Sequence, residues 1–214
     1  MSEHLQPRPD TPTTPDRFYP IVPDLAWLQR IVPLGVKTVQ LRLKDAPAAE
    51  IDTAVRAGKD LCAAHGCQFI VNDYWQAALE YGVRDVHLGQ EDLADADLDA
   101  LHRAGVRLGI STHTEAELET ALGAKPAYVA LGPIYETKLK AMRYGPQGLE
   151  RIATWRSKVG QLPLIAIGGL TPERASAAMA AGADSASVIT DFLTHSAPEE
   201  RIAQWLSWAA DLSR

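Results

Sequence analysis

Cysteine is nearly missing from this chain. Its two copies, Cys62 and Cys67, form a single C-x4-C with no second cysteine pair or histidine pair beside it. That excludes a disulfide scaffold and argues against a zinc site, whose ligands come as such pairs. Both thiols are expected to pack as small apolar groups near the end of a helix. A basic excess is missing too. Lys and Arg total 21 against 27 Asp and Glu, a formal net charge of −6. The one basic grouping, Lys138, Lys140 and Arg143, is confined to a short segment, so no nucleic-acid partner is expected. No run approaches the ~20 apolar residues that span a bilayer, so no membrane partner is expected either. Met1 to Arg17 has four prolines and no hydrophobic stretch. It is unlike a signal or transit peptide and is expected to be a disordered lead-in, residues 1–17, to a cytoplasmic protein.

What is present is a rhythm. From Phe18 onward, short apolar and β-branched runs alternate with amphipathic helical stretches. The runs are Phe18–Val22, Thr38–Leu43, Gln68–Asn72, Asp85–Gly89, Arg107–Ser111, Tyr128–Ile134, Leu162–Gly168 and Asp184–Thr190. They start roughly every 24 residues, the spacing of βα units with short loops. Pro47 suits the first turn of a helix reaching His65. Thr114 with Glu117, and Ser196 with Glu199, fit capping boxes. Thr171-Pro172-Glu173 supplies a cap followed by proline. Ile202, Trp205, Leu206, Ala209 and Leu212 make one face of the last helix. Eight apolar strands, each followed by a helix, predict an α/β protein: a single-domain (β/α)8 barrel over residues 18–214. A doubly wound sheet would want a Gly-x-Gly-x-x-Gly turn after the first strand, where this chain has Pro23-Asp24-Leu25-Ala26.

In such a barrel, ligands bind where the strands end. Strand two closes on Gln40-Leu41-Arg42-Leu43-Lys44, whose alternation turns Gln40, Arg42 and Lys44 inward, where they need acidic partners or an anionic ligand. Asp73 and Asp92 follow strands three and four. Each could cap the next helix, or the two could share Mg2+, which is held by one or two carboxylates plus phosphate oxygens and water. Ser111 ends strand five and could orient a ligand. His113 reads as satisfied by the capping structure around Thr114, and His87 as a core or supporting residue. The loop Glu136–Gly148 is the longest after any strand end and carries Thr137 and Lys140, as a lid would. Gly168-Gly169 after strand seven, with the end of strand eight, suits a monophosphate site.

Taken together, these motifs resemble those of the thiamine-phosphate synthase (thiamine-phosphate pyrophosphorylase) family. The matching stretches are Val39-Gln40-Leu41-Arg42-Leu43-Lys44, Val71-Asn72-Asp73, His87-Leu88-Gly89-Gln90-Glu91-Asp92, Leu108-Gly109-Ile110-Ser111-Thr112-His113, Leu131-Gly132-Pro133-Ile134-Tyr135, Met142 through Pro146-Gln147-Gly148-Leu149, and Ala166-Ile167-Gly168-Gly169-Leu170. They run in order from about Phe18 to Leu212. The resemblance implies a Mg2+-dependent transferase that couples 4-amino-2-methyl-5-(diphosphooxymethyl)pyrimidine to a thiazole phosphate, 4-methyl-5-(2-phosphoethyl)thiazole or its 2-carboxy form, and releases pyrophosphate. It implies Gln40, Arg42, Lys44, Asn72, Ser111 and Lys140 at the pyrimidine diphosphate, with Arg42, Lys44, Ser111 and Lys140 as the catalytic set. It implies Asp73 and Asp92 at Mg2+, and Thr137, Gly169, Ile189 and Thr190 at the thiazole phosphate. The chain departs from the family pattern at Leu139, where threonine is common, at Glu136, where proline is usual, and at Thr190, where serine is usual. The competing readings are a barrel that rearranges the thiazole phosphate and a non-catalytic relative. A homo-oligomer stays open.

Overall fold

The apolar runs pair side by side, all parallel, into a barrel that closes on itself. The computed structural model describes residues 14–137 and 144–212. Its strands are β1 Phe18–Val22, β2 Thr38–Leu41, β3 Gln68–Asn72, β4 Asp85–Leu88, β5 Arg107–Thr112, β6 Tyr128–Leu131, β7 Leu164–Ile167 and β8 Ser185–Val188, in sequence order around the ring. The closing pair sets Phe18 against Ala186 and Tyr19 against Ser187. Outside lie α1 Leu25–Ile31, α2 Ala48–Ala64, α3 Trp75–Tyr81, α4 Gln90–Asp95, α5 Leu98–Arg103, α6 Glu115–Gly123, α7 Gly148–Val159, α8 Pro172–Ala180, α9 Thr190–Leu193 and α10 Pro198–Asp211. This is the expected (β/α)8 architecture in one domain.

The apolar residues divide into two layers because strand side chains alternate. The large layer lies between strands and helices and includes Val39, Val71, Val86, Ile110, Trp155 and Trp205, all buried. The small layer fills the barrel itself with Tyr19, Ile70, Tyr128, Ala130 and Ile165. Polar groups seal the floor, the end from which the strands start. Arg107 grips Asp85 with two nitrogens (2.7 and 2.5 Å), and the Gln68 amide donates to the same carboxylate at 3.0 Å. Thr38 donates to Gln68 Oε1 at 3.0 Å. Cys62 and Cys67 are free and buried at the end of α2 and the start of β3, as expected.

Several boundaries differ from the sequence reading. Strands β2, β6, β7 and β8 stop short of Leu43, Ile134, Gly168 and Thr190, because their last expected residues leave the ladder at the mouth, those of β8 passing directly into α9. Asp16 and Arg17, expected in the lead-in, are joined to the barrel. The Asp16 N–H donates to Thr38 Oγ1 at 2.9 Å, Ser185 Oγ donates to the Asp16 carbonyl, and the Arg17 guanidinium reaches the Leu212 carbonyl. Residues 1–13 lie outside the described residues. Pro47 is the cap of α2 and not its first residue. Thr114 caps α6 as expected, but Glu117 accepts from the His113 N–H one residue earlier than a capping box requires. The Ser196–Glu199 box does not form. Ala197 occupies the cap position of α10, and Glu199 pairs with Arg30 across the surface instead. The buried face of that helix is Ile202, Trp205 and Ala209, with Leu206 and Leu212 half-buried.

Candidate active site

The barrel mouth, where the strands end, opens into a cavity of about 650 Å3. Its lining draws on both halves of the ring: Arg42 and Lys44 after β2, Ser111 on β5, Thr137 after β6, Gly169 after β7, and Ile189 and Thr190 after β8. Seven expected site residues therefore meet in one space of ordinary ligand size. Arg42 and Lys44 differ from expectation in one respect. They are exposed, not buried, because β2 ends at Leu41 and the chain beyond it climbs out of the barrel, the Arg42 N–H donating to the Val22 carbonyl at 2.9 Å. Cations at a wet mouth need no buried acid to hold them. Lys140 lies outside the described residues.

Gln40 and Asn72 stand below this space, both buried. The Gln40 amide donates to the Tyr19 hydroxyl at 2.6 Å, and the Asn72 amide donates to the Asp73 carboxylate. Asp73 turns the chain out of β3 with a left-handed backbone, φ 63°, which aspartate adopts more readily than most residues. Burial pushes its carboxyl up to about 6, and the Asp92 carboxylate beside it pushes the same way, against the pull of Arg42 and the Asn72 amide. Two carboxylates held against each other next to an arginine make a cation-seeking pair. Among the described residues no group of three or more His, Cys, Asp or Glu could hold a metal. Two carboxylates are the number that Mg2+ commonly takes from a protein when phosphate oxygens and water complete its shell.

The rest of the mouth is braced. Gly168 and Gly169 have positive φ, and a Cβ on Gly169 would meet the Glu136 carbonyl at 2.4 Å. The glycine pair thus admits the loop after β6 as well as any ligand. Asp191, beside Thr190, is gripped by Arg201 (2.6 and 3.0 Å) and by the Trp205 indole at 2.7 Å, which offsets its charge within the lining. His113 lines the cavity, yet its Nδ1 is paired to Glu117 at 2.8 Å, whose other oxygen accepts from Tyr144 at 2.8 Å. It is satisfied next to the α6 cap, as expected.

Three contributors escaped the sequence reading. Tyr19 and Tyr128, given above only as strand residues, join a hydrogen-bonded file inside the barrel, with oxygens 2.8 Å apart. Gly109 is what makes room for it, since a Cβ there would fall 2.0 Å from Tyr128 Cζ. Ser187 lines the cavity, buried, and its hydroxyl has no hydrogen-bond partner among the described residues. Only the inward parity of Ser187 along β8 could have signalled it.

Comparison with known proteins gives the family. A family model described as thiamine monophosphate synthase matches residues 16–192. The chain belongs to that family. The thiamine-phosphate synthase of Rhizobium etli is 54% identical over 91% of this chain and 96% of its own length. That of Salmonella choleraesuis is 41% identical over 94% and 96%. Membership makes the chain a transferase of thiamine biosynthesis acting on small molecules. Among solved structures, the thiamine phosphate pyrophosphorylase of Pyrococcus furiosus superposes with a TM-score of 0.79, 21% identity, and 91% and 96% coverage. Orotidine 5'-monophosphate decarboxylase of Sulfolobus solfataricus follows with a TM-score of 0.61 and 14% identity, a likeness of fold alone. Among the described residues of this synthase, no helix is long and apolar enough to cross a membrane.

Proposed function

We propose that this synthase joins 4-amino-2-methyl-5-(diphosphooxymethyl)pyrimidine to a thiazole phosphate, 4-methyl-5-(2-phosphoethyl)thiazole or its 2-carboxy form, in the cavity at the barrel mouth. The observation that carries the reading is the division of that lining. Arg42, Lys44 and Ser111 come from the β2 to β5 half of the ring, the half whose β3 and β4 lead into Asp73 and Asp92, and the charge of Arg42 acts on Asp73. Thr137, Gly169, Ile189 and Thr190 come from the other half. One side suits a diphosphate and its cation, the other a monophosphate.

The chemistry asks little covalent work of the protein. The aminopyrimidine ring spreads positive charge from its exocyclic methylene, so the C–O bond can break before the thiazole nitrogen attacks. Arg42 and Lys44 would stabilise the departing pyrophosphate, and Lys140 would join them from the loop. Asp73 and Asp92 would hold Mg2+, which when bound supplies counter-charge to the diphosphate oxygens. Gln40 and Asn72 would support the pyrimidine end from below, Gln40 through Tyr19. Ser111 would orient the ring, and the opposite lining would set the nucleophile in line. We place this chemistry in residues 18–214, as a catalytic barrel preceded by an N-terminal segment, and in the cytoplasm.

The test is pyrophosphate release by chelator-treated protein supplied with the pyrimidine diphosphate. Release that needs both thiazole phosphate and Mg2+, with thiamine phosphate formed in equal amount, is expected. Tight binding of thiazole phosphate with no turnover would overturn the reading.

A further inference from the structure

Five side chains from five strands form a single file of hydrogen bonds through the barrel. Gln40 Nε2 on β2 lies 2.6 Å from the Tyr19 hydroxyl on β1. That oxygen lies 2.8 Å from the Tyr128 hydroxyl on β6, which lies 2.9 Å from His87 Nδ1 on β4. His87 Nε2 lies 2.8 Å from Ser111 Oγ on β5. The first four residues are buried, and Ser111 lines the cavity.

Counting hydrogens gives the file a direction. An amide nitrogen only donates, so Tyr19 accepts from Gln40 and gives its own hydrogen to Tyr128. Tyr128, having accepted, gives its hydrogen to His87 Nδ1. A nitrogen that accepts carries no proton, so His87 is neutral with its hydrogen on Nε2, and that hydrogen goes to Ser111 Oγ. Ser111 has then accepted, and its own hydrogen is left for the cavity. One link cannot reverse alone, because two hydrogens or two lone pairs would face each other away from water.

We propose that His87, held in its Nε2–H tautomer by Tyr128 and Tyr19, is a positioning residue that fixes the Ser111 hydroxyl as a donor into the cavity. The ligand atom it takes is then an acceptor, a ring nitrogen of the aminopyrimidine and not its amino group. A ring turned to bring the amino group to Ser111 would take the second lone pair of Oγ and leave the Ser111 hydrogen without an acceptor, so the file favours one orientation of the ring and of its reactive methylene. This inference rests on the reading that puts the pyrimidine at Ser111.

The experiment is long-range 1H–15N NMR of the 15N-labelled full chain, with the His87 signals identified by their loss in His87→Gln. The expected spectrum has hydrogen on Nε2 and an unprotonated Nδ1. Tyr128→Phe should shift the Nδ1 signal and raise KM for the pyrimidine diphosphate about tenfold, while KM for the thiazole phosphate stays within about twofold. If that variant fails to fold, the wild-type spectrum still decides the polarity. An Nδ1–H signal in the wild type means that the file runs the other way, from Ser111 to Gln40, with the Gln40 carbonyl oxygen and not its nitrogen turned to Tyr19, and overturns the proposal. Ser111→Ala that leaves KM for the pyrimidine diphosphate unchanged overturns the positioning role together with the reading beneath it. The tautomer, measured without substrate, tells that result from a wrong polarity.

Discussion

Burial and the neighbouring Asp92 carboxylate both disfavour a charged Asp73, so the pair carries a cost in the free chain. Asp73→Asn keeps a residue that accepts the left-handed backbone and removes one of the two charges. In chelator-treated protein it should raise the melting temperature by about 2–4 °C, the response of a chain this size to about 1 kcal/mol. In the assay it should raise the Mg2+ concentration needed for half-maximal rate at least about tenfold. Calorimetry and a metal titration check the two halves. His87 makes a separate prediction. Burial, helped by the charge of Arg42, lowers its pKa from 6.5 to about 4. Above pH 6.5 folded and unfolded chains both keep it neutral, and it has no effect on stability. As pH falls through that value the unfolded chain gains a proton that the barrel does not. Stability should then drop by up to about 1.4 kcal/mol per pH unit until about pH 4. Urea midpoints at about pH 7 and about pH 5 should differ less in His87→Gln than in the parent.

Strand β5 shows how one element serves packing and chemistry together. Its outward Leu108 and Ile110 are buried under the helices, while Gly109 and Ser111 face inward, one yielding space to Tyr128 and the other ending the hydrogen-bonded file. Gly109→Ala should therefore cost about 1–3 kcal/mol by overpacking, read as a lower urea midpoint, and should displace the Tyr128–His87 link. The strands and most helices were legible in the sequence because their apolar periods are long and their caps local. Thr171 caps α8 and precedes Pro172 as its composition predicts. What could not be read depended on partners far along the chain. Glu199 has the spacing of a cap, but Arg30 takes it. Tyr19 and Tyr128 look like core residues until the ring closes and brings oxygens 109 positions apart into contact. Arg42 and Lys44 follow the alternation of β2 in sequence, yet the ladder ends before them. The cavity-lining residues were legible because they cluster at strand ends, where this fold puts ligands.

The molecule separates stability from chemistry along its axis. Its floor is closed by Arg107, Asp85, Gln68 and Thr38, and its mouth carries the proposed substrate groups. Burial pushes the Asp85 carboxyl up, and the Arg107 guanidinium pulls it down. Asp85→Ala would leave Arg107 and Gln68 without their shared acceptor. It should cost about 3–5 kcal/mol in urea denaturation while KM for both substrates stays within about twofold. A larger change in KM would mean that the two ends are mechanically linked. The same floor holds the contact between the Arg17 guanidinium and the Leu212 carbonyl, where the first strand's approach meets the end of the last helix. A short graft could bridge those two points. A chain circularised there and reopened in a surface turn on the floor would keep every strand pairing, and a tether attached there would leave the mouth facing solution.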